Sequence, residues 1–337
     1  MSVPLTHAVK PPGTSELMEI ALGEFFQHGI SPDFVPRVGT TLGVERRVGT
    51  GVSVSKDRES LLKERFPPRY KDPRKVLARP AVVVDRRGRI LVWYLPGILC
   101  QERNEAIYGA VHILQPELKT SIKAGGPWRT DARYFRDGDH AGCINLSPAW
   151  FQQARDPFTA DLEVSSLLKA PGNGRKWVEK MQDTFALVNA ISNVLHPDQH
   201  DIGKQAMEKL RKEPNRVKEG NRAKDVLTGW TSVFSAIAIV LNRETPTHRD
   251  MQSPATGLDV MLTVGPYSEA WMVLETLGVD LLYRSGTMVA LSGSLIPHGV
   301  ECSEVGRLCL SFYMRYAVHE NLGLNLMEYT VHGGHHS

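Results

Sequence analysis

The apolar positions change their spacing along the chain. Ala81-Val82-Val83-Val84 and Ile90-Leu91-Val92-Trp93-Tyr94 are two strand-like runs around Asp85-Arg86-Arg87-Gly88-Arg89, which predicts a hairpin with a glycine-containing turn. Helical spacing is found in Ser15 to His28, where Leu17, Ile20, Ala21 and Phe25 share a face, and in Asn104 to Leu114. Trp150 to Leu195 reads as helical with a break near Pro171-Gly172-Asn173-Gly174. Trp177, Met181, Phe185, Val188 and Ile191 supply its buried stripe, Pro197 ends it, and Ile202 to Arg211 forms a further short helix. From Trp230 onward the chain predicts short strands at Val233 to Leu241, Val260 to Val264, Ala270 to Leu274, Leu281 to Arg284, Thr287 to Leu291 and Arg307 to Tyr316, punctuated by glycines. Helices followed by closely spaced strands give an α+β chain whose strands form an antiparallel sandwich, jelly roll or barrel.

Composition adds limits. The 337 residues are 42% apolar and 23% charged, which excludes a disordered or collagen-like chain. No apolar run approaches the length of a membrane span, and Met1 to Thr14 lacks the pattern of a secretory signal, so an intracellular protein is expected. Cys100, Cys143, Cys302 and Cys309 form no C-x-x-C pair, which argues against structural zinc and against a disulfide framework. The net charge of +3 does not by itself point to nucleic acid. Basic clusters at Arg46-Arg47, Lys63 to Arg79 and Lys204 to Lys224 read either as solvated faces or as phosphate contacts. The loop from Gly125 to Gly142, dense in Trp128, Arg129, Arg133, Tyr134, Phe135 and Arg136, is long enough to be functional or partly disordered.

The chemistry concentrates in the strand region. In His248-Arg249-Asp250, residues i and i+2 at a strand end share one side. With His298 they make a two-histidine, one-carboxylate set suited to Fe(II) with open coordination positions. His298 lies in Ser292-Gly293-Ser294-Leu295-Ile296-Pro297-His298-Gly299, which reads as a strand ending in a ligand histidine. In Arg307 to Arg315 the alternation turns Leu308, Leu310, Phe312 and Met314 to an apolar core and Arg307, Cys309, Ser311, Tyr313 and Arg315 the other way. A guanidinium on an inner wall needs an anion, and the distal carboxylate of 2-oxoglutarate suits it. The competing reading is a plain β-sandwich in which His298 merely ends a strand. Phosphate-loop, H-E-x-x-H and zinc-deaminase patterns are absent. His196 and His200 read as a solvated turn, and His332, His335 and His336 as a tail.

At His248-Arg249-Asp250-Met251-Gln252-Ser253, Pro297-His298-Gly299 and Arg307 to Arg315 the chain resembles the TET/JBP family of Fe(II)/2-oxoglutarate dioxygenases, in particular its fungal TET-like branch. The resemblance implies a double-stranded β-helix (jelly-roll) core with surrounding helices. It implies residues 230–320 as the catalytic core, 321–337 as a tail, and 1–229 as a mixed helical and hairpin region that packs on the core and contacts DNA, the whole forming one catalytic domain. By resemblance His248, Asp250 and His298 are the catalytic iron ligands, with 2-oxoglutarate and O2 as cosubstrates. Arg307 binds 2-oxoglutarate, as does Cys309, which stands where animal members have Ser. Tyr313 stacks on a flipped 5-methylcytosine, and Ser253 and Arg315 occupy base-contacting positions that hold Asn or Asp and His in other members. The implied activity is oxidation of the methyl group of 5-methylcytosine, or of another methylated base, in nuclear DNA. The alternative is a 2-oxoglutarate-dependent hydroxylase of a protein or small molecule. A third reading, a catalytically dead nucleic-acid-binding module, is opposed by the intact His, Asp, His and Arg set.

Overall fold

The computed structural model describes residues 64, 75–85, 87–120, 128–136, 140–151, 161–218, 220–250, 252–325 and 327–331. The helix expected over Ser15 to His28, the pair Arg46-Arg47, most of the tract from Lys63 to Arg79, and Met251 lie outside these residues.

The strands are β1 (Lys75–Leu77), β2 (Ala81–Val84), β3 (Ile90–Leu95), β4 (Gly142–Leu146), β5 (Ala236–Leu241), β6 (Thr245–His248), β7 (Asp259–Val264), β8 (Trp271–Leu274), β9 (Val279–Leu282), β10 (Thr287–Leu291), β11 (His298–Glu301) and β12 (Leu308–Tyr313). The α-helices are α1 (Gln101–Ala110), α2 (Asn173–Lys180), α3 (Gln182–Leu195), α4 (Pro197–Lys212), α5 (Asn221–Gly229) and α6 (Tyr316–Asn321). One sheet runs β2-β3-β10-β7-β12-β5-β4 and the other β1-β9-β8-β11-β6. Among the described strands the β1–β9 pairing is parallel and the other pairings are antiparallel. Strands from both sides of residue 230 share the larger sheet.

The larger sheet is apolar on both faces, as a sheet covered on both sides must be. On one face Ile237, Ile239, Leu262, Leu308, Leu310 and Phe312 pack with Trp177, Phe185, Val188, Ile191 and Leu210 of the helices. On the other face Val92, Tyr94, Val289 and Leu291 meet Met272, Leu274, Leu281 and Val300 of the smaller sheet. This is a double-stranded β-helix with helices packed outside it. Phe312 lies 6.1 Å from Phe185 and 5.8 Å from Phe234, ring centre to ring centre, and joins β12 to the helical layer. No helix among the described residues is long and apolar enough to cross a membrane.

Several sequence expectations are met. β2 and β3 form the predicted hairpin. Its turn is held by Asp85, whose carboxylate accepts from the Arg87 and Arg89 amides, and by Gly88 at φ +75°. β10 spans the expected Thr287 to Leu291, and β12 keeps the predicted alternation. Among the described residues of the span expected to be helical from Trp150, the α-helix begins at Asn173. Trp150 instead exchanges backbone hydrogen bonds with Glu163, and Ser165 bonds back to Ser147. The apolar residues Val164 and Leu168 are buried there by long-range packing that helical periodicity cannot anticipate. His298 opens β11 rather than ending a strand, because Ser292 to Pro297 forms the turn that carries the chain between sheets.

Phe312→Ala should lower the unfolding free energy by about 3–5 kcal/mol, the usual loss for truncating a buried Phe. Chemical denaturation measures this; a loss under about 1 kcal/mol would mean that β12 is not fixed by its helical neighbours.

Candidate active site

β6 and β11 pair antiparallel, with His248 opposite His298. β6 is the edge of its sheet, where Pro246 removes no ladder hydrogen bond from a neighbour. The two imidazole centres stand 4.4 Å apart. Each Nδ1 lies 3.0 Å from the carbonyl two residues earlier, Pro246 for His248 and Ile296 for His298. A carbonyl only accepts, so both Nδ1 atoms carry the proton and both Nε2 lone pairs are free to ligate. Both Nε2 atoms point to Asp250, 3.6 Å from Oδ1 and Oδ2 respectively. Asp250 lies beyond the end of β6, and its amide donates to the Gly293 carbonyl at 2.9 Å. One ligand atom from each of the three residues falls within 4.8 Å of the others.

Burial works against the Asp250 charge, yet the two imidazoles beside it, His248 and His298, hold its carboxyl well below the usual carboxylate range. Burial pulls His248 down, which favours the neutral imidazole a metal requires. Burial also opposes charge on His298, but Asp250 outweighs it and raises that imidazole. A carboxylate between two imidazoles with outward Nε2 atoms is the donor set that suits ferrous iron.

Arg307 precedes β12 and is only 2% exposed. Its Nη2 donates to the Arg243 carbonyl, whereas Nε and Nη1 have no hydrogen-bond partner among the described residues. A buried guanidinium with two idle donor atoms is costly unless an anion completes it. The chain folds this way because Asn242, at φ +60°, turns the strand crossing from β5 to β6. Its amide donates to the Arg307 carbonyl at 2.9 Å and its Oδ1 accepts from Gly306 at 2.6 Å. Arg243 follows and adds a second guanidinium, which donates to the Arg129 carbonyl at 3.0 Å and lies 5.1 Å above the Trp128 ring. Burial lowers Arg243 to about 10, so it stays charged at neutral pH. Cys309 faces the same space, with its sulfur 3.9 Å from the Tyr283 hydroxyl, and the Cys143 thiol beside Arg243 is pushed up by burial.

Two residues of the Gly125–Gly142 loop cover the histidines. Trp128 meets His248 edge-on at 4.6 Å, and Arg129 Nη2 donates to Asp250 Oδ1 at 2.7 Å. Sequence reading marked this loop by its density of aromatic and basic residues but assigned none of them to the site. Arg243 was missed as well, since nothing in the sequence singles out an arginine between two strands.

Tyr313 and Arg315 come together as the alternation requires. The Arg315 guanidinium lies 5.4 Å from the Tyr313 ring and 5.6 Å from that of Trp150, and it donates to Gln252 Oε1. The Tyr313 hydroxyl reaches Asn145 Oδ1 at 3.5 Å. Ser253 does not join this group. It is buried, and its hydroxyl lies 2.9 and 2.8 Å from the two carboxyl oxygens of Asp259. Burial, with Asp250 close by, pushes Asp259 up to about 8.

Some of the basic residues of Lys204 to Lys224 are engaged within the fold, while Lys204, Lys212, Arg222 and Lys224 are exposed. Lys209 bonds the Leu322 carbonyl, Arg211 the carbonyls of Leu227 and Trp230, and Arg216 pairs with Glu213. Positive charge at the site comes instead from Arg129, Arg243, Arg307 and Arg315.

Residues 148–316 match the Tet_JBP family, described as the oxygenase domain of the 2OGFeDO superfamily. Among solved structures, NgTET1 in complex with 5mC DNA is similar, at 11% identity and a TM-score of 0.47, over 77% of this chain and 89% of that one. OsALKBH1 is similar at 15% identity and a TM-score of 0.29, over 70% of this chain and 100% of that one. A search of curated protein sequences gave no match.

Asp250→Ala should abolish stoichiometric iron binding, from about one Fe(II) per chain to near none, while near-ultraviolet circular dichroism is retained. Metal analysis after anaerobic loading checks this, and undiminished iron would break the assignment of the three ligands. Arg307→Met should stabilise the unliganded protein by about 1–4 kcal/mol, because it removes a buried, under-bonded charge, and should abolish stabilisation by 2-oxoglutarate. If this variant melted earlier than the wild type, the guanidinium would already be satisfied by the fold.

Proposed function

The chain belongs to the Tet_JBP family, the oxygenase domain of the 2OGFeDO superfamily, and from that premise we propose that it oxidises the methyl group of 5-methylcytosine in DNA. Membership makes it an oxygenase that works with Fe(II) and 2-oxoglutarate. The observation that carries this chemistry to particular residues is the pairing of a three-ligand set with a buried Arg307 whose Nε and Nη1 are idle. In this proposal His248, Asp250 and His298 hold the iron. Arg307 binds the distal carboxylate of 2-oxoglutarate through charge-assisted hydrogen bonds, and the neighbouring Arg243 adds positive charge. Iron and 2-oxoglutarate together supply the activation of O2 that oxidises a C–H bond.

The chain's own residues do the rest. Pro246 and Ile296 hold the histidine Nδ1 protons, which keeps both Nε2 atoms directed at the metal position. Trp128 shields His248 on one side and limits water there. A base inside a duplex cannot reach a buried centre, so the target nucleotide leaves the stack. Tyr313 then offers a ring face to the flipped base, and Arg315, fixed by Gln252 and flanked by Trp150, donates to a carbonyl or ring-nitrogen acceptor on the base edge. Arg315 is donor-only and cannot accept from an exocyclic amine, so the cytosine N4 needs an acceptor other than Arg315. In this reading the protein works on nuclear DNA.

Incubation with methylated DNA, Fe(II) and 2-oxoglutarate, followed by nucleoside mass spectrometry, should show conversion of 5-methylcytosine. Absence of any oxidised base, with DNA affinity insensitive to salt, would favour a protein or small-molecule substrate. Tyr313→Ala should weaken substrate engagement by about 1–3 kcal/mol while uncoupled 2-oxoglutarate decarboxylation persists. A parallel loss of both activities, or of neither, would remove Tyr313 from the base pocket.

A further inference from the structure

We propose that Ser253, Asp259 and Gly293 form a brace that positions Asp250 for metal binding, so that Ser253 is a positioning residue and not a reader of the base. The inference rests on Asp250 being an iron ligand.

Asp250 has no strand partner of its own, since β6 ends two residues earlier. What fixes it is a short closed circuit. Its amide donates to the Gly293 carbonyl at 2.9 Å, and its carbonyl accepts from the Ser253 amide at 2.9 Å. The Ser253 hydroxyl in turn meets both Asp259 oxygens, and Asp259, 4% exposed, is anchored at the start of β7 inside the larger sheet. Gly293 closes the circuit. A Cβ added there would stand 2.4 Å from Asp259 Oδ2, 3.3 Å from Asp250 Cβ and 3.5 Å from Asp250 Oδ2. Only a hydrogen fits between the two carboxyl groups, so any larger residue must push one of them away.

The rest of the turn is pinned from the helical layer. Gln199 of α4 accepts from the Leu258 amide and donates to the Leu258 carbonyl, both at 2.7 Å. His196 Nε2 meets the Thr256 carbonyl and Ser292 Oγ the Ala255 carbonyl, each at 2.8 Å. Thus Ala255 to Asp259 is rigid, and the Asp259–Ser253 contact transmits that rigidity to a ligand outside any strand. Partners behind a metal ligand commonly matter nearly as much as the ligand itself.

The test is anaerobic titration of the whole protein with Fe(II), alongside binding of a methylated DNA duplex to the metal-free protein. Ser253→Ala, Asp259→Ala and Gly293→Ala should each weaken iron affinity about 10–100-fold and leave DNA affinity within about twofold. Asp259→Asn, which keeps the shape and one acceptor for Ser253, should recover most of the loss. Wild-type iron affinity in Ser253→Ala, or reduced DNA affinity with iron unchanged, would overturn the brace. If Asp259→Ala fails to fold, Ser253→Ala and Asp259→Asn still decide the matter. Failure of the wild type itself to bind iron would instead break the assignment of the ligands.

Discussion

The buried guanidinium of Arg307 is the constraint around which the site is organised. It sits where the chain enters β12, 2% exposed, and among the described residues it is bonded only to the Arg243 carbonyl, with two nitrogen donors idle. An apolar residue there would serve the fold better, because a buried charge without an anion works against stability. Asn242, Gly306 and Arg243 are shaped to hold it all the same: the left-handed turn at Asn242 places one arginine beside another and locks both to the corner between the sheets. A fold that retains such an arrangement keeps a place for a carboxylate.

The proposed metal ligands obey a complementary logic. Their histidines are fixed by register, His298 opposite His248 across two strands of the smaller sheet, and by carbonyls that set the tautomers. Their carboxylate is fixed by a turn that strands do not control, and so it depends on side chains from the larger sheet and from α4. The two sheets therefore contribute differently: the smaller one supplies the imidazoles, the larger one the buried Arg307 and the support behind Asp250. The site exists only where both face each other.

Much of this was legible from local patterns. Period-two alternation in Leu308 to Tyr313 separates core from pocket, and the spacing of His248 and Asp250 with a later His298 marks the ligands, because these features depend on neighbours in sequence. The hairpin turn at Asp85 to Arg89 was readable for the same reason. Trp150-Phe151 and Leu162 to Leu168 were misread as helix, since their apolar residues are buried by contacts between distant segments. Trp128, Arg129 and Arg243 escaped because their roles arise only when the loop folds over β6. Ser253 was placed with the base by resemblance, whereas the partner that captures its hydroxyl, Asp259, is visible only in three dimensions.

The central claim is that the three-ligand set and the Arg307 pocket are one site. Anaerobic equilibrium binding of 2-oxoglutarate, measured with and without Fe(II), tests it most directly. Two ligands that share a site through mutual contact must raise each other's affinity by the same factor. The account predicts 2-oxoglutarate binding that is weak without iron and tightens by about tenfold or more with it, with the reciprocal gain for iron. Independent binding, with 2-oxoglutarate affinity unchanged by iron, would contradict it.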